Sequence, residues 1–181
     1  DRESREATKL LIYRRLVSDK LTVLMNVDFE AARKLLLGAT FVVNRQGRVK
    51  NAITPEGEHL ASPRLGDGGL SLTGAGAIAL HKLRTLDAPT GLGLSSERPV
   101  TGVGPAWLVV DDDAEPFVRQ GRNVFHGFVL AVDAWIQPSQ TCLIVNKKGD
   151  LLGHGLSNGT ADEFGGFKKG IAVKTRGGIL L

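Results

Sequence analysis

Cysteine is almost absent from the sequence, which has Cys142 alone among its 181 residues. A single cysteine excludes a disulfide framework and a cysteine-rich zinc site. Cys142 lies in an apolar, strand-like run at 141–145, so we expect a small buried side chain rather than a reactive thiol. Low cysteine content is typical of proteins in a reducing cytoplasm, and we expect this location.

Long apolar runs are absent as well. None approaches the roughly 20 residues needed to cross a bilayer, so no membrane partner is expected. Residues 1–5 are mostly charged and contain no methionine, which predicts no secretory signal and a trimmed start. Hydrophobic residues make up 42% and charged residues 23% of the chain, whereas disorder needs fewer apolar residues and more net charge.

The net charge of +4 is unevenly distributed. Residues 1–110 contain 15 Lys and Arg against 11 Asp and Glu, whereas residues 111–181 contain eight of each. The latter acids include the run Asp111-Asp112-Asp113. Helix capping is its expected role, because no further ligand pattern for a hard cation follows. The positive excess favours polyanion partners but does not locate a binding face.

Residues 85–105 are rich in Pro, Gly, Ser and Thr and show no periodicity, which predicts a linker. It separates an N-terminal domain at 1–84 from a C-terminal domain at 106–181. In the N-terminal domain, helical spacing predicts a helix at 3–18, and 21–27 is predicted as a strand.

The rest of the N-terminal domain is predicted to alternate between capped helices and short strands. Asp28 is placed to cap a helix at 29–37 that ends at Gly38, and Thr73 to cap one at 75–83. The strands predicted between them are 40–44, 49–54, 59–65 and 70–72. Helices and a mostly antiparallel sheet in this order predict an α+β domain.

The C-terminal domain has many short strand-like runs punctuated by glycine. A short helix is predicted up to 117–119, after a cap at Asp111 or Asp112, and a helical turn at 161–167. The predicted strands are 107–110, 124–132, 141–146, 151–155 and 171–174. Such short strands predict a small β-barrel.

Two basic segments of this domain are suited to ligand binding. In the first, Arg119 and Arg122, both expected to be exposed, flank Gly121. Two guanidinium forks beside a turn suit phosphate oxygens. The alternative is that Gly121 only ends a helix and the arginines are solvated.

The second segment contains Lys168, Lys169, Lys174 and Arg176. Glycines among them permit close backbone approach, and Lys174 and Arg176 alternate along a strand and so share a face. A basic edge of this kind suits an RNA backbone. The alternative is protection of an edge strand against aggregation.

Four stretches of the C-terminal domain form a recognisable set: 107–111 (WLVVD), 115–125 (EPFVRQGRNVF), 142–146 (CLIVN) and 169–174 (KGIAVK). In this order they resemble the C-terminal end of archaeosine tRNA-guanine transglycosylases, where a PUA domain lies. Upstream, 47–51, 58–64, 67–68 and 72–73 are more loosely similar to the domain that precedes PUA. The resemblance covers roughly residues 38–178. It implies an α+β fold with an N-terminal α+β pre-PUA domain and a C-terminal PUA pseudo-β-barrel.

The resemblance further implies a PUA domain that contacts tRNA near the acceptor stem. The implied contacts lie in the turn at 119–123 and around the last strand. Phe125 is suited to stacking on a base. The predicted RNA-binding residues are therefore Arg119, Gln120, Gly121, Arg122, Asn123, Phe125, Lys168, Lys169, Lys174 and Arg176.

The catalytic part of the transglycosylase has no counterpart in the sequence. A catalytic barrel would need about 250 further residues, and its zinc site needs several cysteines. We therefore expect a stand-alone archaeal protein that binds tRNA or rRNA without catalytic residues, metal or cofactor. Its N-terminal domain adds surface or recruits a protein partner. The alternatives are a ribosome-associated or translation-initiation module and an accessory subunit of a split tRNA-modifying enzyme.

Residues 74–79 (GAGAIA) follow a predicted strand and precede a helix, as in a dinucleotide-binding fingerprint. That fingerprint also needs a parallel βαβ unit and an acid about 20 residues on, and Glu97 lies in the predicted linker. A short capped helix is therefore expected, and a small-molecule-binding enzyme is the alternative. The four histidines show neither metal-ligand spacing nor a triad order, so we expect structural or surface roles.

Overall fold

The computed structural model describes residues 1–92 and 104–180, so the centre of the predicted linker, 93–103, lies outside the described residues. The flanks at 84–92 and 104–105 contain no helix or strand, and the division into two domains stays a prediction. The elements are α1 (Arg2–Met25), α2 (Phe29–Leu35), β1 (Thr40–Val43), β2 (Val49–Ile53), β3 (His59–Pro63), β4 (Leu70–Leu72), α3 (Gly74–His81), β5 (Ala106–Val110), α4 (Glu115–Arg119), β6 (Val124–Phe125), β7 (Val129–Val132), β8 (Thr141–Val145), β9 (Leu151–Ser157), α5 (Ala161–Gly166) and β10 (Ile171–Gly178).

The first helix is longer than predicted, and the strand predicted at 21–27 is wrong. α1 continues without a break to Met25. Val17, Leu21 and Met25 recur every four residues and are almost fully buried. Each burial contributes about 1.5–3 kcal/mol, which outweighs the strand preference of the β-branched residues at 22–23. Within the described residues, no helix combines the length and apolar character required to cross a membrane.

The second helix and the first sheet follow the predicted order. Asp28 caps α2, because its Oδ2 accepts a hydrogen bond from the Ala31 N–H at 3.3 Å. Strands β1 to β4 form an antiparallel sheet in chain order. Buried residues of α1, α2 and α3 pack on this sheet in one apolar cluster, so the N-terminal region has α+β architecture.

Thr73 caps the start of helix α3, because its Oγ1 accepts a hydrogen bond from the Gly76 N–H at 3.1 Å. A Cβ at Gly76 would lie 2.1 Å from the Leu60 carbonyl oxygen. Glycine is therefore required for the close approach of α3 to β3. Strands β3 and β4 are antiparallel, so residues 74–79 do not follow a strand of a parallel βαβ unit.

The C-terminal sheet has six strands in the order β6-β10-β9-β8-β5-β7. Strands β5 and β8 pair in parallel, and the other neighbours are antiparallel. The two edge strands, β6 and β7, are consecutive in the chain and are joined by a 3-10 turn at His126–Phe128. The sheet therefore curls into a near-closed barrel. The single strand predicted at 124–132 is two strands, because this segment leaves β10 and crosses to β5.

The interior of the barrel is apolar. Cys142 is completely buried, as predicted. Burial raises the pKa of its thiol to about 12, so the thiol stays protonated at neutral pH and contributes only to packing.

The end of α3 and the residues after it are fixed to the barrel by buried polar contacts. The side chains of Arg84 and Asp133, 2% and 5% exposed, form an ion pair. Asp133 also accepts the Trp107 N–H at 2.7 Å, and the Arg84 guanidinium lies 4.3 Å from the centroid of the Trp107 ring. Because both charges are paired and hydrogen-bonded, their burial is tolerated.

Candidate functional site

A tight turn at the end of α4 carries the first predicted segment. The Gly121 N–H donates to the Val118 carbonyl at 2.8 Å, and the Arg122 N–H donates to the Phe117 carbonyl at 3.0 Å. Gly121 has a φ of 84°, a backbone conformation that residues other than glycine rarely adopt. These bonds define a glycine-ended helix terminus, the alternative considered for Gly121. The same turn brings Arg122 to the surface.

Arg119 is not exposed, which corrects the prediction that both arginines face solvent. Its side chain is 13% exposed, and its Nε lies 3.6 Å from Glu115 Oε2. Its Nη1 donates to the Ile179 carbonyl at 2.8 Å. Arg119 therefore ties α4 to the residue after β10, and its guanidinium is largely occupied by contacts within the protein.

The remainder of the turn is exposed and is attached to β10. Gln120, Arg122 and Asn123 are exposed, and the Arg122 guanidinium lies 5.7 Å from the centroid of the Phe117 ring. Asn123 Oδ1 accepts the Thr175 N–H at 3.1 Å. Because this bond joins residues 52 positions apart, it fixes the turn against the middle of β10.

The second predicted segment lies beside the first. Phe125 in β6 pairs with Ile171 in β10, and the His126 N–H donates to the Gly170 carbonyl at 3.0 Å. Four predicted bases of this segment are exposed: Lys168, Lys169, Lys174 and Arg176. Residues 120–125 and 168–176 therefore form one continuous area, named here the β6–β10 surface.

Aromatic side chains add to this area. Phe125 is 50% exposed, and Phe117 and Phe167 are exposed to 49% and 54%. Sequence reasoning missed the last two, because phenylalanine is usually placed in the interior. The exposure of Phe117 is explained by its neighbour Val118. Val118 occupies the single buried position of the five-residue helix α4, so the adjacent Phe117 points away from the core.

Sequence reasoning also missed a cavity of about 440 Å³ beside β10. Arg64 at the end of β3 lines it, with its Nε 3.1 Å from both carboxylate oxygens of Asp67. His154 is 4% exposed, and burial lowers the pKa of its imidazole. Residues from both sheets line this cavity, including Arg64, Asp67, Ser71, Thr141, His154 and Arg176. Arg176 therefore connects the cavity with the β6–β10 surface.

The acidic run 111–113 has the capping role that was predicted. Asp111 Oδ1 accepts the Asp113 N–H at 3.2 Å at the start of the 3-10 turn before α4. Over residues 1–92 and 104–180, no three His, Cys, Asp or Glu side chains are grouped so as to hold a metal ion.

Comparison with known protein families identifies the type of barrel. The PUA domain family matches residues 106–179, the region from β5 to the residue after β10. These residues form a PUA domain. Its boundaries enclose both segments of the β6–β10 surface, including the turn after α4.

Curated relatives extend the similarity upstream of the PUA domain. The chain is 35% identical over 150 residues to the tRNA-guanine(15) transglycosylase of Thermococcus onnurineus, an alignment that covers 83% of this chain and 23% of the relative. The corresponding protein of Methanocaldococcus jannaschii is 42% identical over 72 residues, or 40% of this chain and 11% of the relative. The chain thus spans about a quarter, or less, of the length of these relatives.

A solved structure shows the same overall architecture. A hypothetical protein from the hyperthermophilic archaeon Pyrococcus horikoshii OT3 superposes with a TM-score of 0.60. The superposition covers 92% of this chain and 89% of the other chain at 20% sequence identity. The pairing of helices, first sheet and PUA barrel is therefore shared with a second protein.

Proposed function

We propose that this chain binds structured RNA, tRNA or rRNA, through the β6–β10 surface and has no catalytic activity of its own. The observation that carries the proposal is the placement of two sequence-distant segments side by side on the PUA domain. Together they expose Arg122, Lys168, Lys169, Lys174 and Arg176. No acidic residue lies within 120–125 or 168–176, so the surface favours a polyanion.

The chemistry of this surface suits an RNA backbone better than a small anion. Five cations on β10, on the loop before it and on the turn after α4 offer contacts to several phosphates, and such contacts fix register and orientation. Exposed Phe117, Phe125 and Phe167 offer rings on which unpaired bases stack. RNA presents phosphates, 2′-hydroxyls and unstacked bases together.

Transfer RNA is the first RNA to test, because the relatives with the sequence match are named tRNA-guanine(15) transglycosylases. Binding of a tRNA transcript is measured by fluorescence anisotropy at several salt concentrations. If about four phosphates are engaged, the log–log slope is about −2.8 to −3.6. The double variant Lys174→Glu/Arg176→Glu is expected to weaken binding by more than ten-fold.

Lys147→Glu/Lys148→Glu is the matched control. Both lysines are exposed in the turn between β8 and β9 of the same PUA domain, outside the β6–β10 surface, and the charge change is equal. An affinity that is indifferent to salt, or an equal loss in both double variants, would contradict the proposal. Co-sedimentation with a ribosomal subunit in preference to tRNA would assign the surface to rRNA.

A second function, as an accessory subunit of a tRNA-modifying enzyme, is favoured because the chain matches a small part of the length of each relative. The similarity to those transglycosylases is confined to 23% of their length or less. The accessory role predicts that the chain increases the affinity of a separate catalytic protein for tRNA. The test is the reconstituted activity of such a protein with and without this chain.

A further inference from the structure

The N-terminal helices enclose a groove of about 360 Å³ that is separate from the PUA domain. On α1 its wall is formed by Leu11, Arg14, Arg15 and Ser18. Their spacing of i, i+3, i+4 and i+7 places them on one helical face. On α2 the opposite wall is formed by two residues four positions apart, Phe29 and Arg33. Three arginine residues therefore line one groove.

Two of these side chains have polar atoms without a hydrogen-bond partner in the part of the chain that the structure describes. Ser18 is 1% exposed, yet its Oγ has no hydrogen-bond partner among these residues. Arg14 Nε is also buried and unpartnered, and Arg14 forms no ion pair with any residue in 1–92 or 104–180. Buried polar groups are normally satisfied, so this pair of donors points to an external acceptor.

The other two arginines form ion pairs with exposed neighbours. Arg15 lies 3.8 Å from Asp19 and Arg33 lies 3.7 Å from Glu30, and all four side chains are more than half exposed. Such pairs on helix surfaces are weak. A ligand anion can therefore share either guanidinium without breaking a buried contact.

We propose that this groove is a phosphate-binding site and that a phosphate of the bound RNA occupies it, with the adjoining nucleoside on Phe29. This rests on the proposed function, because it adds a second RNA contact outside the PUA domain. The non-bridging oxygens of an RNA phosphate accept charge-assisted hydrogen bonds from arginine guanidinium groups. Phe29 is 43% exposed and the Arg33 guanidinium lies 5.7 Å from its ring centroid, an arrangement that suits a base beside its phosphate.

The experiment measures tRNA affinity for Arg14→Gln/Arg33→Gln and for Ser18→Ala in the full chain. We expect about ten-fold weaker binding for the double variant, with a salt slope that is lower in magnitude by about 0.7–0.9 for the phosphate lost. Ser18→Ala is expected to weaken binding about three-fold. The matched control is Arg2→Gln/Arg5→Gln, because both arginines are exposed on the same helix and lie outside the groove. Thermal melts verify that all variants fold.

A second measurement identifies the source of the phosphate. The NMR signal of the Arg14 Nε–H is followed during titration with inorganic phosphate and, separately, with polyglutamate. A shift with phosphate and unchanged tRNA affinity in the variants would retain a phosphate site but overturn its occupation by RNA, because free phosphate would then be the source. Loss of tRNA affinity in the groove variants alone supports RNA as the source.

Other outcomes overturn the proposal. If the groove variants and the control bind tRNA equally and inorganic phosphate shifts nothing, there is no phosphate site. If polyglutamate shifts the signal and phosphate does not, the groove takes acidic protein side chains instead. The variant Lys174→Glu/Arg176→Glu distinguishes the two proposals. If it binds tRNA as tightly as the parent while the groove variants bind weakly, the β6–β10 surface is rejected as an RNA site and the groove is retained.

Discussion

Replacing Arg119 by methionine tests the assignment of this residue to the framework rather than to RNA contact. Methionine keeps an apolar stem and removes the guanidinium. The hydrogen bond from Arg119 Nη1 to the Ile179 carbonyl, 2.8 Å long, is charge-assisted, and such bonds contribute about 1.5–3 kcal/mol. The pair with Glu115 at 3.6 Å is partly solvated and adds less than about 1 kcal/mol.

The expected loss for Arg119→Met is therefore about 2–3 kcal/mol. For a chain of this length, 1 kcal/mol corresponds to about 2–4 °C in melting temperature, so the variant should melt about 5–10 °C below the parent. Differential scanning calorimetry measures this shift, and tRNA anisotropy below the transition measures binding.

Arg122→Met is the control, because Arg122 is exposed and interacts with the Phe117 ring at 5.7 Å. An exposed contact of this type is worth about 0.5 kcal/mol, so the melting temperature should fall by about 2 °C or less while tRNA affinity drops. If Arg119→Met melts within 1 °C of the parent and loses tRNA binding, Arg119 is a contact residue and the reasoning is wrong.

Two further predictions concern buried groups. Burial lowers the pKa of His126 and of His154 from 6.5, so the unfolded chain takes up protons that the folded protein resists, and the free energy of unfolding should decrease as pH falls below about 6.5. Urea unfolding at pH 7.5 and 5.5 measures the free energy of unfolding at the two pH values. His154→Gln should reduce the difference between them. An equal difference in the variant and the parent would contradict this prediction. Arg84→Ala should lower the free energy of unfolding by about 3–5 kcal/mol, because it leaves the buried carboxylate of Asp133 without its positive counter-charge. The double variant Arg84→Met/Asp133→Leu should lose less than the sum of the single changes, and strict additivity in urea titrations would show that the pair is not coupled.

Local sequence signals predicted most elements but misassigned one where two signals conflict. Residues 21–25 contain β-branched side chains typical of a strand, yet Leu21 and Met25 continue the four-residue spacing from Val17. Because burial of this helical face contributes more to the free energy of folding than strand propensity does, the four-residue spacing is the better predictor of the structure at 21–25. Extending the helical window from 3–18 to 3–25 would have found it.

The break between β6 and β7 could not be predicted from local sequence signals. Residues 124–132 are largely apolar and contain several β-branched side chains, and a single strand is the simplest local prediction. The break arises because the first part pairs with β10 and the second with β5. That exchange of partners depends on closure of the barrel, which involves residues about 50 positions away.

The candidate site shows the same division between local and long-range information. The turn chemistry of Gly121 and the basic content of β10 were visible in the sequence, whereas the difference between Arg119 and Arg122 was not. Both follow the apolar part of α4, and the hydrogen bond to the Ile179 carbonyl, 60 positions away, helps to occupy the Arg119 guanidinium while that of Arg122 stays exposed. Likewise, long-range contacts such as the Asn123–Thr175 hydrogen bond and the pairing of β6 with β10, not the composition, join the two segments into one surface. A substitution that breaks this bond without changing charge, Asn123→Ala, therefore separates placement from charge. If tRNA affinity is unchanged in this variant, the attachment of the turn to β10 does not matter for binding and the argument from placement is wrong.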